Sequence, residues 1–177
     1  TVNVLNNPRQ FNSPNTKSET SLDKANALLD AAGWKRGTNG VREKGGRKLS
    51  FLFQSTINPV RQKVQTIFKQ ACVKAGIEIE LKAVVSAVYF SSDIGNPDTS
   101  GKFWADLQMH TFTRVPDPDR FMQLWVSWEA SSKANKWLGL NTGRWSNAEY
   151  DALFKAQQAE LDPVKRAALL IRMNDLV

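Results

Sequence analysis

The 177 residues carry 24 Lys and Arg against 17 Asp and Glu, a net charge of +7, with 41% hydrophobic and 23% charged residues. That is the composition of a globular chain with one sizeable core, and no apolar run reaches the roughly 20 residues of a membrane-spanning helix. One cysteine excludes an internal disulfide framework, and one histidine makes any Ser/His/Asp triad or Cys/His pair depend on His110 alone.

Residues 1–20 are polar, rich in Asn, Pro and Ser, and without periodicity, so they read as a connecting segment. Ser21 can cap a helix whose Leu22, Ala25, Leu28, Leu29 and Ala32 make one face and whose end is Gly33. Turn signals at Thr38-Asn39-Gly40 and Gly45-Gly46 then predict a small β-hairpin or ordered loop over residues 35–48.

Residues 48–84 organise the chain. Leu49, Phe51 and Phe53 alternate with Leu52 in a strand covered on both faces, Asn58 and Pro59 open a helix, and Val60, Val64, Ile67, Phe68, Ala71 and Cys72 recur as its buried stripe. Gly76 stops that helix, after which Ile77, Ile79 and Leu81 alternate with Glu78, Glu80 and Lys82. A strand, a helix and a second strand in this order form a right-handed βαβ crossover, and the fold class is α/β.

Gly95, Asn96, Pro97 and Gly101 mark a surface insertion, and residues 104–113 return to a strand pattern. Asp117 and Pro118 open a helix bearing Phe121, Leu124, Trp125 and Trp128. Ser146 and Glu149 match a capping box for a helix with Tyr150, Leu153, Phe154 and Leu161; Asp162 and Pro163 start its antiparallel partner with Val164, Ala167, Leu170 and Ile171. That pattern reaches residue 177 without a cap, which reads as a lobe over 21–177 cut short at its carboxyl end.

Lys35, Arg36, Arg42, Lys44, Arg47 and Lys48 crowd the hairpin region. Two readings follow: a solvated hairpin, which is the plainer one, or a single-stranded nucleic-acid-binding module with Trp34 as stacking platform, whose binding would be strongly salt-dependent. No Cys/His cluster supports a metal site, no motif calls for a cofactor, and nothing suggests an enzyme.

Four local patterns carry a resemblance when taken in order: SLDKANALLDAAGW, KLSFLFQSTINPVRQKVQTIFKQACVKAGIEIEL, VPDPDRFMQLW and WSNAEYDALFKAQQAELDPVKRAALL. Together they resemble the peptide-type (family 5) solute-binding proteins of ABC importers. The resemblance implies part of the second lobe of a type II periplasmic-binding fold, a mixed sheet with flanking helices. It also implies a peptide or other small solute held between two lobes, a membrane permease and the remaining lobe as partners, no nucleic acid, and an extracytoplasmic (periplasmic) location with the signal peptide outside these residues.

In that family an Asp three residues ahead of the Asp-Pro commonly holds the peptide's amino terminus, in a Trp-x-x-Asp segment. Counted back from Asp117, the Asp position is Arg114 and the Trp position is Thr111. A guanidinium cannot neutralise an ammonium but grips a carboxylate or phosphate, so Arg114 either faces an anionic part of the solute or pairs with Asp117 or Asp119 at the surface. Thr111, Phe112 and Thr113 are further candidates because α/β folds bind ligands at the carboxyl ends of strands, with core packing the competing role for Phe112. Ser55, in the turn from strand to helix, stands between ligand contact and plain helix capping, and Asn141 is a weaker candidate in the loop 137–145.

Overall fold

The structure, a computed structural model, describes residues 11–16, 19–111 and 115–177. The chain divides into two compact units, one of Thr20–Thr111 and one of the described residues within Thr1–Glu19 and Phe112–Val177.

In the first unit, α1 (Leu22–Ala31) begins where Ser21 accepts from Lys24 N at 3.2 Å and ends where Gly33, at φ 83°, lets Trp34 N reach back to Leu29 O. Three short strands follow, β1 (Lys35–Arg36), β2 (Arg42–Lys44) and β3 (Arg47–Lys48), paired antiparallel in that order. Arg42 is only 2% exposed and locks them to their surroundings. Its guanidinium donates to Asp30 Oδ1, to Asn26 Oδ1 and to the carbonyls of Trp34 and Ala75.

The βαβ unit is present: β4 (Ser50–Thr56), α2 (Pro59–Lys74) and β5 (Glu78–Val84), with β4 and β5 parallel from Ser50↔Glu78 to Thr56↔Val84. A third strand, β6 (Leu107–Met109), runs parallel on the other side of β4 with Phe53 opposite Leu107. The order is β5-β4-β6, and among the described residues this sheet is parallel while β1-β2-β3 is antiparallel. The strand expected over 104–113 is three residues long, because Asp106 spends its side-chain Oδ2 on Leu52 N and Trp104 is 65% exposed.

Cap and stop of α2 are as read: Asn58 Oδ1 accepts from Arg61 N at 3.1 Å, Pro59 is the first helical residue, and Gly76 sits at φ 79°. The buried stripe is not. Val60, Val64, Ile67, Phe68 and Val73 are 41–72% exposed, and the one buried residue of α2 is Gln65, whose Nε2 donates to Phe53 O at 2.8 Å. Only the edge of the stripe meets the sheet, where the Phe68 and Phe53 rings pack edge to face at 5.4 Å. Beside them an open groove of about 340 Å³ runs between Phe51, Phe68, Cys72, Ile79 and Leu107, and burial pushes the Cys72 thiol pKa up. Likewise α1 buries no side chain, and its Leu28 is 72% exposed.

The opposite face of the sheet is covered by the insertion. Lys82 pairs with Asp98, Gln54 Nε2 donates to Asp98 O, and Ser100 N donates to the carbonyl of Tyr89 in the one-turn α3 (Ser86–Tyr89).

The second unit is helical. The expected long helix after Asp117 is a single turn, α4 (Asp119–Met122), followed by two 3₁₀ turns, Gln123–Trp125 and Ser127–Glu129. Beyond them lie α5 (Ala148–Ala159) and α6 (Pro163–Leu176). The cap of α5 falls one residue past the expected Ser146, on Asn147, whose side chain accepts from Tyr150 N; Glu149 pairs with Arg172 instead of closing a capping box. Asp162 and Pro163 start α6 as expected. Met122, Val126, Tyr150, Phe154, Leu170 and Met173 pack with Phe11 into a core in which each is no more than 6% exposed. Leu161, expected on the buried face of α5, is 95% exposed in the elbow between the two helices.

Candidate functional site

In the first unit the three parallel strands end together, at Thr56, Val84 and Met109, and polar groups collect there. Ser55 is fully buried, and its hydroxyl donates to Met109 O at 2.7 Å, tying β4 to β6. Thr56, also fully buried, accepts at Oγ1 from Arg61 Nη1 at 2.6 Å, and Arg61 Nη2 donates to Thr111 Oγ1 at 2.9 Å. The guanidinium therefore spans from the end of β4 to the residue just past β6. It gets there because Asn58 and Pro59 start α2 at once and aim its first turn back across the strand ends.

His110 lies between these groups and α3. Its Nδ1 is 3.0 Å from the Tyr89 hydroxyl, and the rings of Tyr89 and Phe90 pack edge to face against it at 5.7 and 5.8 Å. Burial, and then the charge of Arg61, hold the imidazole below its usual pKa, so it is neutral at pH 7. Burial pushes the Tyr89 phenol up to about 12. Among the described residues the strand ends thus present hydroxyls, a neutral imidazole and the Arg61 cation. Among the described residues no group of three or more His, Cys, Asp and Glu could hold a metal, and no helix is long and apolar enough to cross a membrane.

Sequence reasoning named Ser55 and Thr111 at this place, and the structure brings both to the strand ends, each engaged with a neighbour. Phe112, Thr113 and Arg114 lie outside the described residues. Asn141 belongs to the second unit and is 1% exposed, with Nδ2 donating to the carbonyls of Val126 and Trp145. Its backbone bridges to the segment 129–131, and Gly139 is pressed so close to that segment that a Cβ would stand 2.3 Å from Glu129 O. Asp117 and Asp119, the carboxylates read as surface partners for Arg114, hold other groups. Asp117 takes both Nη atoms of Arg166 at 2.8 Å, which lowers its pKa, and Asp119 accepts from Gln157. Arg61 and Tyr89 were missed: Arg61 lies off the apolar stripe by which the helix was read, and the one available signal was its place in the first turn after a strand.

Three cations of the basic hairpin are engaged within the fold. Arg36 donates to Lys74 O, Arg42 to Ala75 O and Lys44 to Ala32 O, so these three cations cap the carboxyl ends of α2 and α1, where the helix carbonyls carry partial negative charge.

The family model described as "Bacterial extracellular solute-binding proteins, family 5 Middle" matches residues 3–133. Protein XP55 of Streptomyces lividans is 28% identical over 149 residues, 83% of this chain and 25% of that protein. The oligopeptide-binding protein OppA of Lactococcus lactis subsp. lactis (strain IL1403) is 34% identical over 77 residues, 41% of this chain and 13% of the relative. The crystal structure of an oligopeptide binding protein from Thermus thermophilus, complexed with a pentapeptide, superimposes with a TM-score of 0.80 at 26% identity, covering 94% of this chain and 29% of that one. The chain thus spans a quarter or less of these curated relatives and under a third of that solved structure.

Proposed function

The chain belongs to the bacterial extracellular solute-binding proteins of family 5, with the α/β architecture of a type II periplasmic-binding fold, and from that membership we propose that it supplies solute-contacting surface to the binding component of an ABC importer. In this reading residues 21–177 form part of one lobe, 1–20 connect to it, and a peptide or similar small solute is caught against a second lobe and passed to a membrane permease. The OppA relative and the Thermus thermophilus structure are named as oligopeptide-binding proteins and the family as extracellular, which supports a binding role outside the cytoplasmic membrane.

One observation carries the reading: hydroxyls, an imidazole and a guanidinium converge where three parallel strands end, the position at which open α/β sheets bind ligands. Ser55 and Thr111 shape that floor. Phe112 and Thr113 continue the chain from it, and Arg114 faces an anionic part of the solute in place of the family's acidic residue. The engagement of Asp117 by Arg166 and of Asp119 by Gln157 supports this, since the competing surface partners have other donors. Asn141, with its amide spent on the carbonyls of Val126 and Trp145, holds the loop 137–145 in place.

Mass spectrometry of solute released from the natively purified full-length parent tests the function. A bound peptide or peptide-sized molecule is expected. A parent that releases nothing and gains no thermal stability from a mixed peptide pool would sink the reading. For Arg114, binding of an unmodified dipeptide that survives Arg114→Ala unchanged removes its assigned role.

A further inference from the structure

Arg61 is charged, half-buried and held by two neutral hydroxyls. The ion pairs among the described residues join Arg42 to Asp30, Lys82 to Asp98, Arg166 to Asp117 and Arg172 to Glu149, and Arg61 is in none of them. No acidic side chain of the same unit is ion-paired with it, and three of them are engaged elsewhere: Asp98 by Lys82, Asp106 by Leu52 N at the far end of the sheet, Asp93 by Gly95 N in the insertion. Tyr89 and His110, the titratable groups of α3 and of the stretch after β6 that meet at this end, are neutral at pH 7.

A guanidinium has five N–H donors, and Thr56 and Thr111 take one each. Those two hydroxyls fix the plane of the fork without neutralising it, which is the arrangement that receives a carboxylate at small entropic cost. Using Arg61 as a strut alone would leave a cation partly desolvated for two neutral hydrogen bonds that an amide could supply.

We infer that Arg61 is a specificity-determining residue that receives a carboxylate of the bound solute, with Thr56 and Thr111 as its positioning residues. This rests on the solute-binding reading above and narrows it to carboxylate-bearing solutes. The contact discriminates free acids from neutral amides of the same shape, because a charge-assisted pair is replaced by an unsatisfied cation when the carboxylate is capped.

The test uses the full-length parent with trialanine and its carboxyl-terminal amide as calorimetric probes, in wild type, Arg61→Gln and Arg61→Lys. The free acid is expected to bind about tenfold tighter or more than the amide. Arg61→Gln should erase that preference, bringing free acid and amide within about twofold of each other, and Arg61→Lys, which keeps charge but not the fork, should retain part of it. A wild type without preference, a preference surviving in Arg61→Gln, or an equal loss of both probes in that variant overturns the inference. Binding of neither probe by wild type fails the peptide reading and passes the decision on Arg61 to its Nε–Hε resonance, identified by its loss in Arg61→Gln. A saturable shift with succinate but not succinamide upholds the carboxylate contact, and no shift ends it.

Discussion

The two units answer the same sequence signal in opposite ways. In the second unit the apolar positions of α5 and α6 close on one another, and Tyr150, Phe154, Leu170 and Met173 are all but lost to solvent. In the first unit α2 carries an equally regular stripe, yet its Val60, Val64 and Ile67 are 45–72% exposed and a glutamine lies in the interface. Periodicity reports that a helix has two faces. It does not report which neighbours the chain provides, and three strands on one side of α2 cover only the sector around Gln65 and Phe68.

Substitutions on the two sides test this contrast. Tyr150→Ala should be the most damaging, about 4 kcal/mol, because it empties a fully buried ring site and leaves Met122 O without its 2.6 Å donor; urea unfolding followed by fluorescence reads it. Arg42→Met comes next, at about 3 kcal/mol, since it takes the guanidinium donors from the carbonyls of Trp34 and Ala75 around a buried position and breaks the pair with Asp30. Its mark is faster hydrogen exchange at the last turns of α1 and α2. Ile67→Glu should lie within about 0.5 kcal/mol of wild type, and a cost above about 2 kcal/mol would show that the stripe of α2 is covered after all.

The smallest effect is one of pH. His110 titrates below its usual value of about 6.5, so the folded first unit holds fewer protons than the unfolded chain. Its contribution is complete above about pH 6.5 and is lost as pH falls through the lowered value. Asp117 is also lowered, chiefly by its hydrogen bond from Arg166, so its contribution to the second unit is complete above about pH 4 and is lost in more acid solution. Hydrogen exchange during acid titration should therefore show the first unit softening before the second, with His110→Gln flattening the earlier phase.

Much of the fold was legible because it is set by near neighbours. Ser21, Asn58 with Pro59, Asp162 with Pro163, and the stops at Gly33 and Gly76 act within a few residues of their own helices. The helix after Asp117 was overread because Phe121, Trp125 and Trp128 recur at spacings that two 3₁₀ turns also satisfy. The candidate site was legible as a place: strand ends are where α/β proteins bind, and Ser55 and Thr111 stand there. Its cation was not, because what distinguishes Arg61 from any lysine on a wet helix face is a hydroxyl 50 residues further along the chain, which no local pattern contains.

The loop that closes on Asn141 sets a different kind of limit. At Gly139 any side chain would begin 2.3 Å from Glu129 O and 2.8 Å from Ser131 N, both of them backbone atoms. Neither can swing aside as the tip of a long side chain can. In a saturation library this codon should return glycine alone, a dropout that even alanine cannot escape and that marks the loop's closure in sequencing counts without any ligand or assay of binding.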